Sequence, residues 1–401
     1  MKLFRLTQLS PGYLLLLAGI LRLGFVLFSG KLNETEYWEY GQFASQLLAG
    51  HGYCFPFTDA DLKFLQDQYY PSALMPPGYV FFFLPFQLVN DVLIRNLLLF
   101  SIQIGLSLLA MHLIFRWAES RFERPAALFI LALQAIYPEL IYSVATIGPT
   151  IWFHLLFAGV LYCLCKKKNP LLTGLLCGIL VLMRSETILP AGLLLLAEFV
   201  AGGRNTALVA VLTMILSLSP WLIRNQLQFG KPMLSASAGV NFYRGNNAGE
   251  IGDWPVQEAK LEQKLRSDPE SYEHKTDSLA MAASLHWIAG NPADFLQRLP
   301  EKFLRFWWLD WPDPRTHHWL YWLPWLCCFP AGLAGLWIRS FEGRTQLMML
   351  FLTYTFIVLV FFPQARYASL IRFFWLIPAG IGLRELWNLL FARNKFLASG
   401  S

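Results

Sequence analysis

Residues 11–37 read PGYLLLLAGILRLGFVLFSGKLNETEY. The first eighteen carry one charge, Arg22, and come close to the roughly 20 residues that cross a hydrocarbon layer. The run then stops on the polar, acidic stretch Asn33-Glu34-Thr35-Glu36-Tyr37. An apolar segment ending this way reads as a membrane span that opens into a watery loop. No small-residue cleavage site follows Ser29–Gly30, so the segment is expected to stay in place as a first span.

Working outward, similar apolar runs lie near 93–115, 126–143, 149–165, 170–184, 187–202, 205–222, 318–338, 346–363 and 370–390. Basic residues gather at every second junction. Lys2 and Arg5 precede the first span, Arg116, Arg121 and Arg124 follow the second, and Lys166, Lys167 and Lys168 the fourth. Arg204, then Arg339 and Arg344, then Arg393 and Lys395 continue the alternation. The excess of positive charge on cytoplasmic loops then predicts a multi-pass membrane protein of about ten spans with both termini cytoplasmic. The expected fold class is all-α and polytopic, with two large outer loops. Residues 1–222 form a transmembrane core that includes the first outer loop, 31–90; residues 223–317 form the second outer region, and 318–401 the last helices.

Composition supports this class. Of 401 residues, 56% are hydrophobic and 14% charged, against about 25% charged in soluble chains. Disorder, coiled coil and a disulfide scaffold are excluded. The net charge of +6 suits basic cytoplasmic loops, and no basic stripe with stacking aromatics points to nucleic acid. The six cysteines form no CxxC pair and read as small apolar residues. His51, His154, His286, His317 and His318 have no metal-ligand spacing, so no cofactor is expected, although a divalent ion near the carboxylates is left open. The absence of an internal repeat gives no support to an inverted-repeat transporter.

Ionisable groups at the outer membrane face are costly, which makes them the site candidates. Glu34, with Glu36 behind it, could take a proton from an attacking hydroxyl or amine; the same residues would also suit the first turn of a helix capped by Asn33. Arg184 and Arg224 sit at outer span ends, and Arg366 with Tyr367 in the last outer turn, where guanidinium groups bind phosphate or simply snorkel to the interface. Pro76-Pro77-Gly78-Tyr79 precedes Val80–Phe86, an apolar segment too short to cross and read as an interfacial helix. Gly239–Asn247 (GVNFYRGNN) could offer Asn241, Asn246 and Asn247 to sugar hydroxyls, or be a simple turn. The second loop is polar, with Asp253, Asp268 and Asp294, and residues 255–305 have helical spacing. Trp307, Trp308, Trp311, Trp319 and Trp322 fit an interfacial belt.

The order of AGHGY, SALMPPGY, RSE, PWLIRNQLQFGKPM, GVNFYRGNN and a late ARY resembles the bacterial membrane glycosyltransferases of the dolichyl-phosphate-mannose–protein mannosyltransferase type, the C superfamily. The resemblance covers roughly residues 10–390. It implies a C-type glycosyltransferase fold, a polyprenyl-phosphate-linked sugar donor, and a glycan, lipid or protein acceptor attacked with inversion outside the membrane. It gives Glu34 or Glu36 the role of base, Arg184, Arg224 and Arg366 the lipid phosphate, and Asn241, Asn246, Asn247 and Tyr79 the substrate side. Two departures stand out: Asn33 where relatives commonly have Asp, and a carboxylate-free turn, Ala145–Pro149, where a second acid is common. A non-catalytic protein that keeps the fold to bind a polyprenyl-phosphate lipid is the alternative.

Overall fold

The computed structural model describes residues 10–58, 64–166, 169–252, 272–338 and 341–398; Lys2, Arg5, Lys167, Lys168, Arg339, Asp253 and Asp268 lie outside them. The helices are α1 (Pro11–Phe28), α2 (Trp38–Leu48), α3 (Pro77–Gln87), α4 (Val92–Glu119), α5 (Arg124–Ile136), α6 (Pro138–Ser143), α7 (Thr150–Cys165), α8 (Pro170–Met183) and α9 (Ile188–Val200). They continue as α10 (Arg204–Phe229), α11 (Ala238–Gly245), α12 (Tyr272–Gly290), α13 (Pro292–Trp307), α14 (Trp319–Ile338), α15 (Arg344–Val360) and α16 (Ala365–Ala398). Among the described residues one hairpin, β1 (Cys54–Thr58) and β2 (Phe64–Pro71), interrupts an otherwise all-α architecture. Each of the ten expected spans coincides with a helix or a broken pair of helices. Among the described residues α1, α4, α10 and α14 are long and apolar enough to cross a membrane, and α5, α7, α8 and α15 are shorter apolar helices.

The helix ends follow local chemistry. Ser10 caps α1 through its Oγ, with Pro11 in the first turn. Asp91 Oδ1 accepts from the Ile94 N–H to start α4. The α5–α6 break falls at Pro138, which has no N–H to give the Gln134 carbonyl. Arg22 of α1 fills that vacancy: Nη2 donates to Gln134 O at 3.2 Å and Nη1 to Ala135 O at 3.1 Å, while Nε donates to Ser107 Oγ of α4. The one charge in the first span is thus a brace for a broken neighbour. Small residues bring α14 and α16 together, since a Cβ on Gly335 would stand 2.0 Å from the Pro378 carbonyl oxygen.

The two long loop regions pack over the same end of the bundle, the loop-bearing end. In the first, antiparallel pairing of Cys54 with Pro71 and Phe55 with Tyr70 forms a ribbon the sequence reading did not foresee. Its buried Phe55, Phe57 and Tyr70 pack with Phe43, Tyr53 and, from the second loop region, Tyr272. The expected interfacial segment 80–86 lies in α3, seated on the end of α8: a Cβ on Gly78 would stand 2.7 Å from Leu182 O. Glu273 of α12 accepts from Ser72 Oγ and the Ala73 N–H, each at 2.5 Å, and so ties the two loops. Burial pushes its carboxyl up to about 7. The helical spacing read over 255–305 is met in its described part, 272–290 and 292–307. Trp308, Trp311, Trp319 and Trp322 are exposed as a belt requires, but Trp307 is buried among Trp325, Phe329, Phe351 and Trp375.

Candidate active site

Three of the expected residues meet at the loop-bearing end. Arg184 follows the last turn of α8 and Arg366 lies in the first turn of α16, and both guanidinium groups sit against the Tyr367 ring, at 5.3 and 5.7 Å from its centroid. Glu186 fixes Arg184, taking Nε at 2.6 Å and Nη2 at 2.5 Å on one oxygen. Arg366 is exposed, with Nε donating to Gln364 Oε1.

Residues that sequence reasoning missed complete the cluster. Tyr40 of α2 lies in the field of Arg184, Arg366, Glu39 and Glu186, and burial pushes its hydroxyl up to about 12, so it stays a donor. Tyr354 of α15 is buried within electrostatic reach of Arg184, Glu186 and Tyr367. Tyr79 stands one layer back: its ring meets Tyr40 edge-on at 4.7 Å and its hydroxyl donates to Gln103 Oε1 at 3.1 Å. Gln103 Nε2 in turn donates to the Val144 and Thr146 carbonyls, fixing the carboxylate-free turn beside the cluster. Two guanidinium groups and several phenols, at helix ends where an apolar bundle meets polar loops, have the chemistry to hold an oxyanion and charge that develops on it. The only sequence signal for the tyrosines was their neighbours, since a phenol in an apolar helix reads as core.

The acidic start of the first loop is placed by α4. Asn96, fully buried, donates to Leu32 O at 2.9 Å and Glu34 O at 2.8 Å and accepts from Tyr37 OH at 3.0 Å. The helix-cap reading of this stretch does not describe it: α2 begins at Trp38, and Asn33 closes a short 3-10 turn, Lys31–Asn33. Glu34 is ion-paired with Lys31 at 2.7 Å. Glu36 is exposed and has no ion-pair partner among the described residues. Trp38, next in line, has φ +52°, a left-handed conformation that a bulky side chain rarely adopts.

The remaining candidates lie elsewhere. Arg224 clamps the first loop, with Nη1 on Ser72 O at 2.8 Å and Nη2 on Tyr53 O at 2.9 Å, against the rings of Tyr53, Trp221 and Phe229. Asn246 is fully buried, donating to Phe242 O and Val360 O and accepting from Lys302 Nζ at 2.9 Å. Asn247 Nδ2 donates to Tyr243 O and its Oδ1 accepts from the Gly249 N–H. Asn241 is half-buried on α11. Asn246 therefore spends its amide on backbone and Lys302, and Asn247 on backbone. Among the described residues no cluster of His, Cys, Asp and Glu could hold a metal ion, and all six cysteines are free.

A second arginine–carboxylate pair lies deeper. Arg372 Nη1 donates to Glu139 Oε2 at 2.7 Å, with the guanidinium over the Tyr321 and Trp325 rings at 4.3 and 4.4 Å. It joins α6 to α16 six residues beyond Arg366.

No family model and no curated protein matches this chain. Among solved structures it is similar to ArnT from Cupriavidus metallidurans bound to undecaprenyl phosphate, at 11% identity and a TM-score of 0.42, over 93% of this chain and 77% of that one.

Proposed function

We propose that the chain transfers a sugar from a polyprenyl-phosphate-linked donor to an acceptor at the loop-bearing face of the membrane, with inversion. The observation that carries this is the cluster of Arg184 and Arg366 on Tyr367, flanked by Tyr40 and Tyr354. An anion site of this kind, set where an apolar bundle gives way to polar loops, suits a lipid phosphate whose tail stays in hydrocarbon. The arginines bind that phosphate and stabilise the charge it gains as its bond to the sugar breaks. The proton of the attacking group goes to a carboxylate of the first loop. Glu36 is the better base, because Glu34 already neutralises Lys31. No metal takes part in this scheme. The loop-bearing face is extracytoplasmic, with both termini cytoplasmic in a bacterial inner membrane, as the basic clusters imply. The C-type architecture, the nature of the sugar and the choice among glycan, lipid and protein acceptors belong to the same proposal.

The carboxylate-free turn held by Gln103 favours one other reading, a protein that binds the lipid without turning it over. Purified protein given radiolabelled polyprenyl-phosphate sugar separates the two. Transfer that falls about 100-fold or more in Glu36→Gln, with donor binding kept, supports the catalytic reading. Undiminished transfer in both Glu36→Gln and Glu34→Gln sinks the base assignment, and binding without transfer in the unaltered protein favours the second reading.

A further inference from the structure

From the face that α13 turns outward we infer a docking surface for lipid. On this helix the usual arrangement is reversed. Lys302 and Arg305 are buried: Lys302 Nζ donates to Leu359 O and Asn246 Oδ1, and Arg305 Nε donates to Asp310 Oδ1 at 2.8 Å. Outward stand Leu296, Phe303 and Leu304, exposed by 62, 42 and 49%, followed by Trp308 and Trp311. With exposed Pro300, positions 296, 300, 303 and 304 fall at helical spacing, a single stripe on α13, and Trp308 and Trp311 lie just past its end. Such a stripe facing water would be an aggregation hazard.

Depth decides what covers it. Trp307, the last residue of α13, is inserted into the bundle: its Nε1 donates to Thr355 Oγ1 at 3.0 Å, and its ring packs on Phe351 of α15 and Trp375 of α16. Thr355 and Phe351 are five and nine residues from the end of α15, Val360, which at 1.5 Å per residue puts them about 8 and 14 Å inside the helix end. Trp375 lies ten residues into α16, about 15 Å. The helix therefore descends below the loop layer, and the next helix in the chain, α14, apolar enough to span, likewise exposes Trp319, Leu320, Trp322 and Leu323. The occupant is the bilayer at the boundary of headgroups and acyl chains on the loop-bearing side, where Trp, Phe and Leu faces rest. Exposed Asp294 and Gln297 mark the end that emerges into water.

The unaltered full chain tests this in vesicles of phosphatidylethanolamine and phosphatidylglycerol doped with a phospholipid bearing a diazirine in its acyl chain. Light-induced adducts are expected on Phe303, Leu304 and Trp308 at yields like those on Trp319–Leu323, several-fold above Gln297, with Leu296 in between. A parallel footprint with hydroxyl radicals should spare Phe303 and Trp308. Their oxidation at the rate of water-exposed aromatics would overturn the inference. So would silence in both experiments while α14 is labelled, since protein, such as a second copy of the chain, would then cover the stripe.

Discussion

Arg184 with Glu186 and Arg372 with Glu139 are the same chemical pair in two settings. Arg372 and Glu139 are 1 and 9% exposed and boxed by Tyr321 and Trp325, whereas Arg184 and Glu186 are 11 and 27% exposed and border the exposed Arg366. A pair sealed from water joins two helices and has no room for a third charge. A pair at the rim, with one edge of its guanidinium committed to the carboxylate, keeps donors for an incoming oxyanion. Burial and neighbours, rather than residue type, separate the brace from the site.

The contrast breaks most visibly in the sealed pair. Glu139→Leu strands the Arg372 charge and should lower stability by about 3–5 kcal/mol, read as early unfolding in a detergent denaturation series. Glu139→Leu with Arg372→Leu should recover part of the loss, and unchanged stability in the single variant would remove the structural role. The open pair should answer the opposite way. Arg184→Ala should leave the denaturation midpoint nearly unmoved and lower turnover of the polyprenyl-phosphate donor by about 100-fold; loss of folding with no separate loss of turnover would make Arg184 a brace as well.

The smallest effect concerns a carboxylate held by a hydroxyl and a backbone N–H. Glu273, held up to about 7 by burial against an ordinary value of 4.5, keeps a proton in the folded chain that the unfolded chain has lost between those pH values. Stability should therefore fall as pH rises from about 4.5 to about 7 and level off above. Thermal midpoints across this range should slope downward, and Glu273→Gln should remove the slope. A slope that persists in the variant would assign it to another group.

How much of this the sequence disclosed follows from the reach of each signal. Span positions came from hydropathy alone, which ran the third span unbroken through 126–143; the break at Pro138 was overlooked, although a missing N–H is a local signal. The β1–β2 hairpin was hidden: Pro56 sits within β1, which an isolated two-stranded ribbon tolerates and a sequence reading takes for a loop. Arg184, Arg366 and Tyr367 were legible as outer-face cations and an aromatic. Arg224 looked the same and turned out to hold backbone carbonyls of residues 152 and 171 positions away. An amide or guanidinium serves a ligand or a distant backbone equally well, and nothing within a few residues of Asn246 or Arg224 says which. Tyr40 and Tyr354 were missed for the converse reason.

Arg22 carries a consequence for the way the chain is made. Beyond the Ala18 carbonyl of its own helix, its guanidinium finds partners only when α4 supplies Ser107, 85 residues on, and α5 supplies Gln134 and Ala135, 112 and 113 residues on. Until then a lone cation in a span costs about 2.5–3.5 kcal/mol at the bilayer centre. The first span thus carries an unmatched charge until the broken third span arrives to bond it.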